Sequence, residues 1–320
     1  MVMPPIPWAK RTWALPFLTV LAPSPRYHEE QGKPHKTLSR WAGQMIRSLR
    51  RWLPDHDLVV TGDSSYAVFD LLDRCQRMDQ PVKLVTRLRL DAALYDPAPD
   101  RTGKPGRPRK KGERQPTLQH RLADETTVWE LIEVPWYNQT QRWVHVATGK
   151  SIWYTGGKPA VPIRWVLVRD AQPDATTTFA PMALLCTEDT CTAKQIMTWY
   201  VLRWQTEVTL HETRTHLGVE TQRQWSDLAI ERTTPAVLGL FSLVALCANA
   251  LIPDHDLTTR TAAWYPKALP TFSDTIAFVR KHLWSVSHES FFSMSVETPD
   301  MVKIPQSLLD RLLETVAYAA

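Results

Sequence analysis

Cysteine is scarce and unpatterned, with Cys75, Cys186, Cys191 and Cys247 the only four in 320 residues. That excludes a disulfide-stapled secreted scaffold and points to a reducing compartment. Cys186 and Cys191 are close enough to suggest half a metal site, but no second Cys or His pair accompanies them, which argues against zinc. There is no internal repeat. Long apolar runs are nearly absent too. The run AVLGLFSLVALCANALI, residues 236–252, stands at the lower limit for a membrane span. With no companion span, it reads as a buried core helix. Residues 1–25 carry Lys10 and Arg11 ahead of TWALPFLTVLAPSP, which mimics a signal peptide. That run is short, contains Pro16, and reads as a buried strand over 12–22. The expectation is a soluble cytoplasmic protein with no membrane segment.

What is present is a globular composition, 43% hydrophobic and 22% charged, enough for one large domain or two ordinary ones. The net charge is +5 with a pI near 9.0, a mild bias toward polyanionic partners. KTLSRWAGQMIRSLRRWL, 36–53, predicts an amphipathic helix with a basic outer face, closed by Pro54. DLVVTGDSSY, 57–66, predicts a strand ending at Gly62-Asp63, followed by the helix YAVFDLLDRCQRM and a second strand in PVKLVTRLRLDAALY, 81–95. This strand–helix–strand order argues for an α/β core. The segment 96–116 then carries seven Lys or Arg against three acids among many Pro and Gly, the composition of a mobile basic loop. Short β-like pieces fill 126–186, helical periodicity returns near 192, and the tail from 257 holds a further helix or two. Fourteen tryptophans are mostly core by expectation, with Trp204 and Trp225 candidates for stacking on bases.

The densest chemistry lies in WYVLRWQTEVTLHETRTHLG, 199–218. Read as one helix ending at Gly218, at about 100° per residue, it gathers Tyr200, Arg203, Trp204, Glu207, His211 and Arg214 on one face. Val201, Leu202, Val208 and Leu210 form the apolar side. A solvated face with i,i+4 ion pairs would look the same. Asp63, at the end of a predicted strand, stands where α/β sheets bind ligands, although Asp is equally a preferred cap. Asp63 and Glu207 are hard oxygen donors of the kind Mg²⁺ favours.

The spacing Tyr200, two residues, Arg203, three residues, Glu207, six residues, then the basic Arg214 resembles the Y-(2)-R-(3)-E-(6)-K signature of bacterial insertion-sequence DDE transposases. VVTGDSSYAVFDLLDRC with LVTRLRLDAALYDPAP resembles their second acidic motif and the following strand. TRTHLGVETQRQWSDLAIERTTPAVLGLFSLVAL resembles the segment after the third acid. WALPFLTVLAPS and PIRWVLVRD are also similar, so the resemblance covers most of 7–250. It implies an α/β, RNase H-like mixed sheet flanked by helices, interrupted by a β-rich insertion, with a helical C-terminal region. The implied divisions are core at 1–100, basic loop and insertion at 101–190, core completion at 191–256, and a tail at 257–320.

The family implies three carboxylates holding two Mg²⁺ (or Mn²⁺) ions for in-line phosphoryl transfer on DNA. Asp63 corresponds to the second acid and Glu207 to the third, both as metal ligands. Tyr200 and Arg203 would lie beside phosphates, with Arg214 in place of the signature's Lys, a change in donor geometry. Arg107, Arg109, Lys110 and Lys111 could track the DNA backbone. The first acid has no counterpart: before residue 63 the only acids are Glu29, Glu30, Asp55 and Asp57. The chain therefore reads as lacking the first strand and its Asp, through a decayed gene or a start placed too far downstream. The partners implied are double-stranded DNA, as transposon ends and target, and a second copy or an intact transposase. The location implied is the cytoplasm, on the nucleoid.

Overall fold

A computed structural model describes residues 1–99, 109–137, 140–171, 178–253, 255–261, 266–293 and 306–318. In chain order its elements are β1 (Pro5–Ile6), β2 (Arg11–Thr12), α1 (Pro25–Glu30), α2 (Leu38–Trp52), β3 (Val59–Thr61), α3 (Phe69–Gln76), β4 (Lys83–Leu88), β5 (Leu94–Tyr95), α4 (Leu118–Ala123), β6 (Glu130–Pro135), β7 (Gln141–Trp153), β8 (Val161–Asp170), β9 (Met182–Cys186), α5 (Ala193–Leu202), α6 (Trp204–Leu217), α7 (Asp227–Leu251), α8 (Phe272–Ser293) and α9 (Gln306–Ala317). They form two compact units: Ala22–Trp204, and Met1–Leu21 together with Gln205–Ala320.

The first unit is built on a mixed sheet, seven-stranded among the described residues, in the order β3-β4-β9-β8-β7-β5, with β6 also on β7. Only β3 and β4 are parallel, and α3 supplies the crossover that a parallel pair needs. The predicted β-rich segment thus extends the same sheet through antiparallel pairs. Alternation along the strands sorts side chains to two faces. One face carries Leu84, Leu88, Ile163, Trp165, Leu167 and Leu185, covered by Ile46 of α2, Leu71, Leu72 and Cys75 of α3, and Leu118 of α4. The other carries Val85, Val144, Val146, Val166, Val168 and Leu184, covered by Ala193, Ile196, Met197 and Tyr200 of α5. Helices on both faces of a mixed sheet are consistent with an RNase H-like fold.

Local signals explain the elements. Thr37 caps α2 by accepting from Arg40 N–H, a preferred capping residue supplying one of the helix's orphaned donors with a partner. Thr192 and Gln195 form a reciprocal capping box that starts α5, satisfying two otherwise orphaned donors. On β7, Gly149 admits the indole of Trp165, since a Cβ there would stand 2.5 Å from Trp165 Cζ2.

In the second unit β1 and β2 form a two-stranded antiparallel ribbon. Trp13, Phe241 of α7 and Phe272 of α8 make its core, with the two phenylalanine rings stacked at 4.0 Å. Two expectations are corrected here. The strand expected over 12–22 is reduced to the end of β2 and a single bridge from Leu15 to Val2; Pro16, with no N–H to donate, interrupts pairing. The 236–252 run forms a helix, but it is not buried all round. Leu238, Phe241, Ala245 and Ala248 make one buried stripe, while Leu240, Leu243 and Leu246 are exposed. By length and composition alone α7 is also apolar enough to cross a membrane.

Candidate active site

Because β3 and β4 are parallel, their C-terminal ends meet at one edge of the sheet. Gly62 N–H donates to Val85 O at 3.0 Å, carrying the ladder one residue past β3 before the chain turns at Asp63. Asp63 is exposed, and its Oδ1 accepts from Ser65 N–H at 2.8 Å and Ser65 Oγ at 2.5 Å. It therefore caps the short 3₁₀ turn Ser64–Tyr66. The sequence offered a cap and a ligand as alternatives; one carboxylate oxygen serves the cap and Oδ2 remains available to a ligand. Packing at Gly62 is close, since a Cβ would meet Tyr66 Cβ at 3.1 Å. Burial raises the pKa of Tyr66, and the negative charge of Asp63 raises it further.

Arg87 lies two residues beyond Val85 on the same strand face, and it is exposed. It belongs to a cluster around Tyr137 at the end of β6. Burial raises the pKa of Tyr137, Tyr200 adds to the shift, and the cations Arg203 and Arg87 oppose it. Tyr200 is 8% exposed, and the Arg203 guanidinium lies 5.7 Å from its ring centroid. Trp204 meets Tyr137 edge-on at 5.4 Å. Tyr200, Arg203 and Trp204 thus gather around Tyr137, with Tyr200 buried in the core of the sheet face that α5 covers. Arg87 and Tyr137 were missed. Arg87 was readable, being the outward cation in the alternating run TRLRL; Tyr137 carried no such signal.

The single helix expected over 199–218 is corrected to two, α5 and α6, separated at Arg203. Arg203 keeps right-handed helical dihedrals, but its N–H reaches Tyr200 O, a tightened turn that ends the regular α-helical pattern. Of the expected apolar side, Val201 is buried on α5, but the α6 part is corrected. On α6 the buried positions are Thr209 and Thr213, with Thr209 Oγ1 donating to Ala14 O at 2.7 Å, while Val208 is 38% exposed. Gly218 does end α6, in the left-handed region at φ +73°, with Val219 N–H returning to Thr213 O, a left-handed cap of the kind glycine favours.

Glu207 stands exposed in the first turn of α6, favourably placed against the helix dipole. Arg214, in the last turn, is engaged by Glu220. Trp225 is 98% exposed. Arg107 lies outside the described residues. Arg109 and Lys110 are exposed, whereas Lys111 packs its ammonium 3.3 Å from the Tyr95 ring centroid, a cation–π contact. The base of this loop is held by Asp96 N–H to Glu113 O and Gly112 N–H to Asp96 O.

Asp63 belongs to one compact unit and Glu207 to the other. Both are hard oxygen donors suited to Mg²⁺, but among the described residues no group of three His, Cys, Asp or Glu could hold a metal ion. The residues identified therefore do not amount to a complete two-ion site.

The fold is that of an α/β protein with a mixed, helix-flanked sheet, carrying an exposed Asp where its parallel strands end. Residues 1–143, which include that strand pair and Asp63, match the family described as DDE superfamily endonuclease, and the match supports a DDE-type transposase. That family implies nuclease or phosphoryl-transfer activity on DNA, generally with divalent metals. No curated protein matches the chain.

Proposed function

We propose that this chain derives from the transposase of a bacterial insertion sequence, an Mg²⁺-dependent enzyme of DNA cleavage and strand transfer. The observation that carries the reading is Asp63, exposed at the end of a parallel strand pair inside the stretch that matches the endonuclease family. In this reading Asp63 and Glu207 are the second and third carboxylates. Arg87, Arg203 and Arg214 are phosphate contacts, and the substrate is double-stranded DNA in the cytoplasm, engaged by an oligomer.

The same reading assigns no first acid within residues 1–62. Glu30 pairs with Arg26 on α1. Asp57 pairs with Lys83 at 2.6 Å, at the N-terminal end of the parallel pair and so at the opposite end from Asp63. With two carboxylates, too few protein oxygens remain to position two ions. The expected result with purified chain, Mg²⁺ or Mn²⁺ and transposon-end DNA is no cleavage or joining; nicking that disappears in Asp63→Ala would overturn this. The second reading is a DNA-binding or oligomerising remnant that inhibits an intact transposase. Among the described residues β3 stands at the end of the sheet order, which favours this reading, because an unpaired strand edge invites pairing with another chain. It predicts DNA or transposase binding that survives Asp63→Ala and Glu207→Ala.

A further inference from the structure

Between α2 and α3, on the sheet face opposite to α5, lies a cleft of about 940 Å³ lined by His35, Thr37, Arg40, Arg47, Asp70 and Arg74 among others. Its cations are not a generic solvated helix face. Of the arginines on α2, Arg50 is consumed by structure, donating to the carbonyls of Leu53, Pro54 and His56, and Arg51 donates to Ser48. Arg40 and Arg47, the two that line the cleft, are exposed and their guanidinium groups have no ion-pair partner among the described residues. The acids of the cleft are already neutralised, Asp73 by Arg77 at 2.8 Å and Asp70 by Lys158 at 2.9 Å. That leaves Arg74 of α3 uncommitted as a third cation.

The backbone is shaped to present it. Gly43 is buried on the α3-facing side of α2, and a Cβ there would stand 3.2 Å from Arg74 Nη1 and 3.6 Å from Arg74 Cδ. The glycine is a notch in which the Arg74 side chain lies against α2, between Arg40 and Arg47 in helical position. Those two are seven residues apart, or roughly 10 Å along the helix axis. A row of that length suits a chain of phosphates better than a single anion, and the planar guanidinium fork matches phosphate oxygens two at a time.

We propose that the cleft between α2 and α3 binds the phosphodiester backbone of double-stranded DNA. The proposal rests on the reading of this chain as a DNA-acting protein but not on its catalytic competence. Such a site would hold DNA flanking the segment presented to Asp63, positioning without reading sequence.

The test is fluorescence anisotropy of the full chain with a random-sequence duplex of 30 base pairs, titrated at several salt concentrations. The variant carries Arg40→Gln, Arg47→Gln and Arg74→Gln. A control of equal net charge carries Arg26→Gln, Lys150→Gln and Lys281→Gln. The cleft variant is expected to bind at least tenfold more weakly, with the slope of log K against log salt reduced by about 2–3, near 0.9 per lost phosphate contact. The control is expected to change the slope by less than one. Equal losses in both would show a net-charge effect and overturn the proposal, as would preserved binding in the cleft variant. Should that variant not fold, arginine-directed labelling of the unsubstituted protein decides instead: the duplex must shield Arg40, Arg47 and Arg74, and unshielded labelling overturns it. Shielding by single-stranded DNA or heparin but not by duplex also overturns it. Asp63→Ala should bind like the unsubstituted chain at this cleft, so the carboxylate and the cleft are read separately. Absence of any duplex binding by the unsubstituted chain would remove the underlying reading as well.

Discussion

The guanidinium of Arg214 is held by both carboxylate oxygens of Glu220, through Nε and Nη2, each at 2.7 Å. Glu220 reaches it by adopting φ +69° just after the turn at Gly218. The side chain expected to meet a phosphate is therefore already engaged by an exposed carboxylate, and DNA must displace that carboxylate to use it. The pairing lowers the pKa of Glu220, chiefly through the hydrogen bond from Arg214. Glu220→Gln is expected to tighten DNA binding and to steepen the salt slope by about one; anisotropy titrations across salt concentrations check it. An unchanged slope would remove Arg214 from the DNA contacts.

Asp274 makes a second prediction. Its side chain is fully buried and accepts from Thr271 N–H at 2.9 Å, Thr271 Oγ1 at 2.8 Å, Arg260 N–H at 3.2 Å and Lys267 Nζ at 3.2 Å. Burial alone would raise its pKa, but these donors prevail and hold it below the ordinary 3.8. A depressed carboxylate pKa contributes stability that is complete above the unfolded-state value and is lost as pH falls through the folded-state value. Asp274→Ala is expected to destabilise the unit by about 3 kcal/mol at neutral pH and to flatten the loss of stability below pH 3.8. Urea melts at neutral and acid pH measure both.

Gly149 fixes the packing of Trp165, whose Nε1 donates to Ser151 Oγ at 2.9 Å. Gly149→Ala drives a methyl into the indole, and is expected to cost about 1–3 kcal/mol, as overpacking does. The equivalent change at Gly156, where a Cβ meets nothing within 4 Å, is expected to be near neutral. Comparison of the two melting curves separates steric clash from a general dislike of side chains in this segment.

The cysteines provide a fourth. Burial pushes Cys75 up to about 11 and Cys186 to about 12, and raises Cys191, while Cys247 is exposed. Thiolate is the reactive form, so a thiol reagent at neutral pH should label Cys247 alone in the native protein and all four residues after denaturation. Rapid labelling of Cys186 in the native state would contradict the β9 packing.

Strong local signals carried the fold from sequence to structure. The basic helix closed by Pro54, the strand ending at Gly62-Asp63 and the β-rich stretch after 126 all stand where composition and alternation placed them. The division at Arg203 was hidden because that residue keeps helical dihedrals, so the period of the pattern does not break there. The strand expected over 12–22 failed because hydrophobicity reports burial and not pairing: Trp13, Ala14 and Leu15 are buried, yet Pro16 follows them. At the site, Asp63 was legible from the strand that ends at it. The Arg214–Glu220 pair was not, because a left-handed turn intervenes and helical spacing says nothing beyond it.

The segment around Trp13 belongs to a core whose other half is made late. Trp13 packs 5.8 Å from Phe241 and 6.2 Å from Phe272, and the whole of Ala22–Trp204 is translated in between. At ribosomal speeds of about 5–20 residues per second, those partners are on the order of 10–50 s apart. During that interval the sheet unit has time to close on itself, while Trp8, Trp13 and Leu15 wait for Phe241 and Phe272. Vectorial synthesis therefore exposes this tryptophan-rich segment to chaperones or to self-association, and soluble yield should depend on elongation rate more than on the stability of the finished fold.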